Sequence, residues 1–471
     1  MTALEDPVEI GGVEIGNRLY RAPLLECAGT NPDTADRLVR ELEPTAASGV
    51  GLVIQGATIV QAESGCPAPR MTRVHDPEFV SGLTPVPEAI GEHGSRVFCQ
   101  LEHGGLRSLE IWHAAYRERH PDFRQLAVSR PPRALQALDR LGIFDIDAHI
   151  LSTAEVRELA RDFGRSAGYL VDAGYDGIHI AGANMGIVQQ FLSPYYNRRS
   201  DEFSGGIRFL ECVHDAIREF AGEVPLITKV PVETEFPRPL RQRRRITLDD
   251  GVRIARRLER IGYDGVVPVI GSPFWDTNLV RGTYPERAWE LGDLQPGYEE
   301  AFGGRWRARG VAAAHRLHSW WVAEEPAWNR EFCRRVREAV SIPVCCEGGI
   351  RTREEIDQLL DPSTEHGNSE TTSEPAADLV GLGRPFYAEP RLGTRLLDSA
   401  DHTDRAGERS ADETGKRSEP SPVRDRDAGR ALCRNCNNCT IPQVTGARGT
   451  CRTPSIVRER ARLEKEGVYD D

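Results

Sequence analysis

The chain alternates short apolar runs with longer stretches in which apolar residues recur every three or four positions. The short runs have strand length and contain β-branched residues, and the longer stretches have the period of amphipathic helices. The predicted strands are Leu19–Leu25, Gly51–Gln55, Val97–Leu101, Gly177–Ile180, Pro225–Val230, Gly265–Ile270, Ile342–Cys346 and Asp378–Gly381. The helices predicted between them include Asp33–Ala47, Thr153–Ala173, Ile207–Phe220, Leu248–Ile261, Trp328–Val340 and Arg353–Leu360.

This order predicts an α/β protein with a TIM (βα)8 barrel, because each parallel strand needs a helical crossover to the next. The segment at 7–16, PVEIGGVEIG, has a Gly-Gly turn between two Val-Glu-Ile runs and predicts a hairpin that closes the bottom of the barrel. An open doubly wound sheet is the alternative. It normally has a glycine-rich turn after its first strand, and this chain has none there.

Two polar stretches interrupt the alternation, at 361–377 and 401–430. Both hold too few apolar residues to offset the entropy of ordering, so we expect flexible segments. The predicted domains are a barrel over 1–400 with an insertion at about 361–377, a charged linker at 401–430, and a cysteine-rich segment with the tail at 431–471. The region from Arg281 to Glu325, which is rich in Trp and Gly, is expected to shape the substrate side.

Charge and hydropathy argue against some classes of binding partner. A net charge of −12 argues against nucleic acid, and no apolar run approaches the roughly 20 residues of a membrane span. The N-terminus lacks the basic and apolar regions of a signal peptide, so we expect a cytoplasmic protein whose 11 cysteines are thiols or ligands. Only Lys229, Lys416 and Lys465 are lysines among 60 basic residues, which fits either a halophilic surface or a GC-rich genome.

Several segments, in order along the chain, carry a family resemblance: Asn17–Leu24 (NRLYRAPL), Gln100–Gly105 (QLEHGG), Gln190–Arg199 (QFLSPYYNRR), Glu347–Ile350 (EGGI) and Gly381–Pro385 (GLGRP). In this combination the chain resembles the FMN-dependent Old Yellow Enzyme family. It is most similar to the branch that contains 2,4-dienoyl-CoA reductases and trimethylamine dehydrogenase. The resemblance implies a flavoprotein oxidoreductase.

Flavin mononucleotide requires a phosphate cradle, a polar partner for the pyrimidine edge, and a cation near N1. The resemblance implies that Gly348, Gly349, Gly383 and Arg384 form the cradle after the last two strands. Gln100 would meet the pyrimidine edge, Ala22, Pro23 and Leu24 would line the ring, and Ala57 would leave space beside it. Lys229 would supply the cation in place of the family's usual Arg; a partner for a nearby carboxylate is the alternative.

The chain departs from the family at the substrate end. Relatives that activate a substrate carry a His/Asn or His/His pair and a Tyr after the fourth strand. The matching positions here are Ala181, Asn184 and Gly186, so only Asn184 could hold a substrate carbonyl. Either His103, a water or a residue of 281–325 donates the proton, or the substrate needs none from the protein. His103 is equally interpretable as a pocket wall.

Four cysteines, Cys433, Cys436, Cys439 and Cys451, have the spacing C-x2-C-x2-C-x11-C. This spacing favours a [4Fe–4S] cluster over the two separated C-x2-C pairs of structural zinc, and it resembles the iron–sulfur motif of the same branch. A zinc site and an unmetallated segment are the alternatives.

The expected function is the reduction of an activated alkene or carbonyl by NADH or NADPH through FMN. The alternatives are an amine-dehydrogenase-like enzyme that passes electrons through the cluster, and a flavin electron-transfer protein. The chain ends about twenty residues after Cys451, without the additional nucleotide-binding module of dienoyl-CoA reductases, so electrons should come from a bound nicotinamide or a separate electron-transfer protein. The basic run Arg241–Arg245 is a solvated loop or a site for NADPH or a CoA ester. A homo-oligomer is compatible with the sequence.

Overall fold

A computed structural model of the chain describes residues 2–62, 65–109, 112–235, 244–273, 281–283, 291–320, 325–362, 374–398 and 429–470. Its strands, numbered along the chain, are β1 Val8–Ile10, β2 Val13–Ile15, β3 Leu19–Arg21, β4 Leu52–Ile59, β5 Arg96–Glu102, β6 Gln125–Ala127, β7 Ala148–Ile150, β8 Gly177–Ile180, β9 Leu226–Glu233, β10 Gly265–Gly271, β11 Cys345–Glu347 and β12 Leu379–Leu382.

The helices, numbered in the same way, are α1 Thr34–Ala46, α2 Pro77–Ser81, α3 Pro85–Gly91, α4 Ala114–Arg119, α5 Arg133–Arg140, α6 Thr153–Asp172, α7 Ile187–Leu192, α8 Ile207–Ala221, α9 Leu248–Ile261, α10 Gln295–Phe302, α11 Arg305–Ser319, α12 Arg330–Arg337, α13 Arg353–Leu360, α14 Arg384–Ala388, α15 Leu392–Leu397 and α16 Pro454–Lys465.

Eight parallel strands form the barrel that the sequence predicts. They pair in the order β10-β9-β8-β5-β4-β3-β12-β11, and the bridge between Val266 and Val344 brings the two ends of the sheet together. Each of the eight predicted strands overlaps one of these, and the six predicted helices correspond to α1, α6, α8, α9, α12 and α13. The TIM-barrel prediction is therefore confirmed.

The hairpin β1–β2 closes the amino-terminal end of the barrel, as predicted. Ile10 and Ile15 are fully buried in one apolar cluster with the inward-facing side chains of the barrel strands. The turn needs glycine because Gly11 and Gly12 both have positive φ, at 55° and 81°. The carboxyl ends of the strands are left as the open end of the barrel.

Several elements were not predicted. The prolines at the first positions of α2 and α3 replace one long helix after β4 with two short ones. β6, β7, α4 and α5 form an insertion between β5 and α6. α11 escaped prediction because its sequence, RWRARGVAAAHRLHS, has alanines where large apolar residues would mark the helical period.

The cysteine-rich segment is packed against the barrel. Ala431 N–H donates to the Arg351 carbonyl at 2.8 Å, and Arg353 N–H donates to the Gly429 carbonyl at 2.7 Å. The buried carboxylate of Glu389 accepts from Leu432 N–H at 2.6 Å and from the Tyr469 hydroxyl at 2.7 Å. The predicted linker and insertion lie mostly in 399–428 and 363–373, outside the described residues, so the domain boundaries stay predictions. None of the helices in the described ranges is long and apolar enough to cross a membrane.

Candidate active site

The carboxyl ends of the barrel strands bring the predicted cofactor residues to one rim. They lie on or directly after β3, β4, β5, β9, β11 and β12: Ala22, Pro23 and Leu24; Ala57; Gln100; Lys229; Gly348 and Gly349; Gly383 and Arg384. Most of the residues after β3, β11 and β12 in this group are half-buried, whereas the strand interiors below them are buried. The rim is therefore the partly open surface that a barrel uses for ligands.

A layer of polar side chains lies inside the barrel below the rim. The Gln100 side-chain amide is 3.0 Å from His179 Nδ1, and Lys229 Nζ is 2.8 Å from Glu347 Oε2. Glu347 also accepts a hydrogen bond from the Tyr20 hydroxyl at 3.0 Å. Burial, reinforced by the Glu347 carboxylate, raises the pKa of Tyr20, which keeps the phenol protonated as a donor.

One ring nitrogen in this layer has no partner among the described residues. His179 is fully buried, and its Nε2 makes no hydrogen bond there. A buried polar atom without a partner is unfavourable, so the layer retains hydrogen-bonding capacity toward a bound group. Lys229 is at once the partner of a carboxylate, which was the alternative interpretation, and a cation at the carboxyl end of the barrel interior.

The loop after β3 contacts both neighbouring strands, β4 and β12, near their carboxyl ends. A Cβ on Gly56 would collide with Pro23, and a Cβ on Gly383 would come within 3.1 Å of Leu24 Cδ2. Ala22 N–H donates to the Leu382 carbonyl at 3.0 Å. These close approaches hold Pro23 and Leu24 half-buried at the rim, where their apolar atoms can contact a flat ring.

Two glycine-containing turns lie side by side, because Glu347 and Gly381 are paired in the ladder between β11 and β12. Gly348 and Gly349 follow the first strand with φ of 106° and 77°, a conformation suited to glycine. A Cβ on Gly348 would lie 2.7 Å from the Trp328 ring. Successive backbone N–H groups in such turns form concave anion sites, so this place suits a phosphate.

Two arginines flank these turns. The Arg384 guanidinium donates to the Asn437 side chain, and the Arg281 guanidinium lies 5.1 Å above the Trp328 ring. Asn437 Nδ2 in turn donates to the Thr283 carbonyl at 3.1 Å. Arg384 therefore connects the rim with the cysteine-rich segment.

At the substrate end, the loop after β8 is held in an uncommon backbone conformation. Asn184 and Met185 have positive φ, at 63° and 65°. The Arg107 guanidinium donates to the Asn184 carbonyl, and the Gln189 side chain accepts Met185 N–H at 2.7 Å. Gly182 is required because a Cβ there would collide with the Lys229 carbonyl. The small residues after β8 thus allow close packing on β9.

The side chain of Glu102 lies beside this loop, at the end of β5. It is 6% exposed, and Oε1 accepts no hydrogen bond from the residues that the structure describes. The nearest charge is Arg107 Nη1 at 4.0 Å. Burial raises the pKa of Glu102, and the opposing effects of Arg107 and Lys229 do not cancel that rise.

His103 is buried beside Glu102 but is fixed by two hydrogen bonds. Its Nδ1 accepts Gly105 N–H at 2.9 Å, which places the ring proton on Nε2, 3.0 Å from Gln61 Oε1. Burial lowers the pKa of His103 to about 3. The geometry gives the ring a neutral role in holding the loop after β5.

The four cysteines of the C-terminal segment surround a loop with alternating backbone conformations. Asn435 and Asn437 have φ of 50° and 58°, which curls the chain between the cysteines. Cys436 Sγ is 3.0 Å from Thr453 Oγ1 and accepts from Asn438 Nδ2 at 3.5 Å. Among the described residues, no three of His, Cys, Asp or Glu are close enough to hold a single metal ion.

The comparisons with known proteins agree with this geometry. Residues 3–239 match the NADH:flavin oxidoreductase / NADH oxidase family. The chain belongs to that family. It is therefore an oxidoreductase of a family that uses FMN and NAD(P)H.

Two curated relatives match this chain over different lengths. An NADPH dehydrogenase from Geobacillus sp. (strain WCH70) is 31% identical over 272 residues, which cover 56% of this chain and 71% of the relative. A 4,4'-dithiodibutanoate disulfide reductase from Rhodococcus erythropolis is 24% identical over 472 residues, 97% of each protein. The second match spans the cysteine-rich segment as well as the barrel.

Solved structures share the fold. Histamine dehydrogenase from Rhizobium sp. 4-9 superposes with a TM-score of 0.64 at 18% identity, covering 97% of this chain and 53% of that one. The old yellow enzyme homologue from Zymomonas mobilis gives 0.59 at 19% identity, covering 84% and 93%. This chain thus spans about half the length of histamine dehydrogenase.

Sequence reasoning missed Glu102, Arg107 and Glu347. For Glu102 a signal existed, because strand alternation puts it on the same face as Gln100. Arg107 and Glu347 gave none, since their roles depend on Asn184 and Lys229, which are distant in sequence. Of the basic run, Arg241–Arg243 lie outside the described residues, and Arg245 is bound to the Glu233 carbonyl at 2.8 Å and to Glu235 at 2.9 Å.

Proposed function

We propose that the protein is an NAD(P)H-dependent FMN reductase of activated alkenes or carbonyl compounds. The observation that carries the proposal is the pairing of the two turns at Gly348–Gly349 and Gly383–Arg384 at one rim, above the polar layer of Gln100 and Lys229. An anion site, a two-way hydrogen-bonding amide and a cation in this arrangement match the three polar parts of FMN.

FMN would supply hydride transfer between a nicotinamide and the second substrate. The chain's own residues prepare the site for both. Lys229 would supply positive charge to the pyrimidine edge, and Gln100 could both donate and accept there. The apolar rim formed by Pro23 and Leu24 would exclude water from the ring face.

We also propose that Cys433, Cys436, Cys439 and Cys451 hold a [4Fe–4S] cluster. The spacing C-x2-C-x2-C-x11-C supports the proposal, because three closely spaced thiolates and one from farther along the chain can surround such a cluster. Such a cluster would exchange single electrons with the flavin. Arg384 donates to Asn437 in the cysteine loop, so it would lie between the cluster and the cofactor phosphate.

The first test is anaerobic purification followed by flavin, iron and sulfide analysis. We expect one FMN and about four irons and four sulfides per chain. Stoichiometric zinc without sulfide would contradict the cluster and leave the flavin proposal intact. A colourless protein that takes up no added FMN would contradict both the cofactor site and the function.

The second test follows flavin absorbance after rapid mixing. We expect NADH or NADPH to bleach it and 2-cyclohexenone to restore it. Bleaching by a methylated amine, with none by either nicotinamide, would instead support an amine-dehydrogenase-like reaction.

A second candidate substrate class is favoured by the match that covers 97% of both chains, to an enzyme named for reducing an organic disulfide. Reoxidation by 4,4'-dithiodibutanoate but by no alkene or carbonyl compound would move the proposal to disulfide reduction.

A further inference from the structure

The space beside Gly186 is occupied by a carboxyl group. A Cβ added to Gly186 would lie 3.3 Å from Glu102 Oε1, and the next nearest atoms are the backbone oxygens of His103 and Ala181 at 3.4 and 3.6 Å. Gly186 is the position at which the resembling enzymes carry a tyrosine. Glu102 reaches this space from β5, so a different strand supplies an ionisable group to the same place.

The surroundings of Glu102 favour its protonated form. The charged groups facing it are Arg107, from the 3-10 turn Gly105–Arg107, and Lys229, from β9. The Nζ of Lys229 is already 2.8 Å from Glu347, and Arg107 Nη1 already donates to the Asn184 carbonyl. Neither cation makes a short contact with the carboxyl group, which is buried, so the neutral acid is stabilised over the carboxylate.

An ion pair built for structure has a different geometry. Arg and carboxylate then form short, paired hydrogen bonds, as the half-buried Arg199 and Asp201 do here, with Nε and Oδ1 2.9 Å apart. The Arg107–Glu102 separation is 4.0 Å, and Oε1 is left without a hydrogen bond in the described part of the chain. The carboxyl group is therefore available to a ligand.

We propose that Glu102 is the proton donor to the substrate, with Asn184 and Arg107 holding the substrate's carbonyl oxygen. This inference rests on the proposed function and names the acid that the function requires. All three residues meet at the loop after β8: Asn184 belongs to it, Arg107 donates to the Asn184 carbonyl, and Glu102 Oε1 lies beside Gly186.

The proton and electron balance is simple. The hydride that the proposed activity delivers to one carbon of a C=C bond leaves the electron pair of that bond on the neighbouring carbon. The O–H bond of Glu102 breaks, and a C–H bond forms at that carbon. Glu102 is left as a carboxylate and recovers its proton from water. Arg107 lies 4.0 Å from the carboxylate and stabilises it between turnovers.

The decisive experiment separates proton transfer from electron transfer. The FMN-loaded wild type and Glu102→Gln are first reduced by NADPH, then mixed with 2-cyclohexenone or with ferricyanide, which accepts electrons and needs no proton on carbon. We expect Glu102→Gln to be reoxidised by 2-cyclohexenone about 100-fold or more slowly than wild type. Its rates with NADPH and with ferricyanide should be unchanged.

Two further variants control for structure. Glu233→Gln removes another buried carboxylate, but one that accepts Ile246 N–H at 3.0 Å, and it should react like wild type. Glu102→Asp keeps an acid on a shorter side chain and should recover part of the lost rate. The wild-type rate with the alkene should fall as rising pH removes the Glu102 proton, and this dependence should be absent in Glu102→Gln.

Infrared difference spectroscopy tests the protonation state without turnover. At a pH where alkene reoxidation is fast, the difference spectrum between wild type and Glu102→Gln should contain a protonated carboxyl band, because subtraction removes the contribution of other buried acids such as Glu26. The same band should persist in Glu233→Gln. Absence of such a band, or alkene reoxidation of Glu102→Gln at the wild-type rate, would overturn the donor role alone. A wild type that NADPH reduces but no alkene or carbonyl compound reoxidises would overturn the proposed function and the donor role together.

Discussion

Lys229 Nζ lies 2.8 Å from Glu347 Oε2, and the two side chains are 6% and 12% exposed. The pair joins β9 to β11 across the inside of the barrel, directly below the turn at Gly348. Charge compensation in this layer is therefore coupled to the position of the proposed phosphate site.

Removing the lysine charge should destabilise the protein even without cofactor. Lys229→Met leaves Glu347 half-buried without its cation, so we expect the free energy of unfolding of the cofactor-free protein to fall by about 3 kcal/mol. Lys465→Met, in the last turn of α16, is the matched control and should change it by less than about 0.5 kcal/mol. Urea unfolding at pH 7 measures both.

The double variant Lys229→Met/Glu347→Leu makes the same prediction sharper. Replacing both charges by apolar groups removes the uncompensated carboxylate, so most of the lost stability should return. If the double variant were as unstable as Lys229→Met alone, loss of packing rather than an unpaired charge would be responsible.

Glu26 should make stability depend on pH near neutrality. Its carboxylate is 2.9 Å from Arg21, yet burial raises the pKa of Glu26 to about 7, against about 4.3 in an unfolded chain. The folded state thus binds this proton more tightly. The stabilisation is full below about pH 4 and is lost as pH rises through 7, a change of roughly 3 kcal/mol.

The measurement compares unfolding free energies of wild type and Glu26→Gln between pH 4 and pH 8. Their difference should shift by roughly 3 kcal/mol across this range. The exposed control Glu88→Gln should run parallel to wild type. Parallel curves for Glu26→Gln would mean that Arg21 keeps the carboxyl ionised throughout.

His103 should remain neutral far below the usual histidine range. With a folded pKa of about 3, its imidazole stays uncharged while the unfolded chain takes up a proton below about pH 6.5. Its contribution to stability is thus present above pH 6.5 and decreases as pH falls toward 3. Nitrogen NMR should show an Nε2–H tautomer at pH 5, and His103→Gln should flatten the acid side of the stability curve. A charged ring at pH 5 would restore His103 as a proton relay.

The fold could be predicted from the sequence more fully than the site, and the reason is physical. Strand segments such as Leu226–Glu233 carry their own periodicity, so the eight barrel strands could be predicted from local sequence. The two glycine turns were also predictable as a pair, because parallel strands end at one rim. Glu102 was predictable only as a neighbour of Gln100 on the same strand face, since its importance arises from Gly186 and Arg107 and from burial that only the packed barrel creates.

Some elements escaped prediction for related reasons. α11 and the strands β6 and β7 carry few large apolar residues that would mark a period. Ala301 of α10 is fully buried against the cluster of Trp112 and Tyr116, although Ala alone carries no signal of burial. Tertiary contacts decided these elements, whereas local periodicity decided the barrel.

Gly348 and Gly12 provide a matched pair that separates backbone strain from close packing. Both have positive φ, at 106° and 81°, so alanine at either position should lose about 1–2 kcal/mol through strain. A Cβ on Gly12 meets nothing within 4 Å, whereas a Cβ on Gly348 would lie 2.7 Å from the Trp328 ring. Gly348→Ala should therefore lose a further 1–3 kcal/mol or so from overpacking.

Gly348→Ala should also bind FMN at least about tenfold more weakly, because the displaced turn no longer directs its N–H groups at one anion. Equilibrium unfolding of the cofactor-free variants and FMN titration by fluorescence quenching measure the two effects. Equal FMN affinity in Gly348→Ala, Gly12→Ala and wild type would remove this turn from the phosphate site.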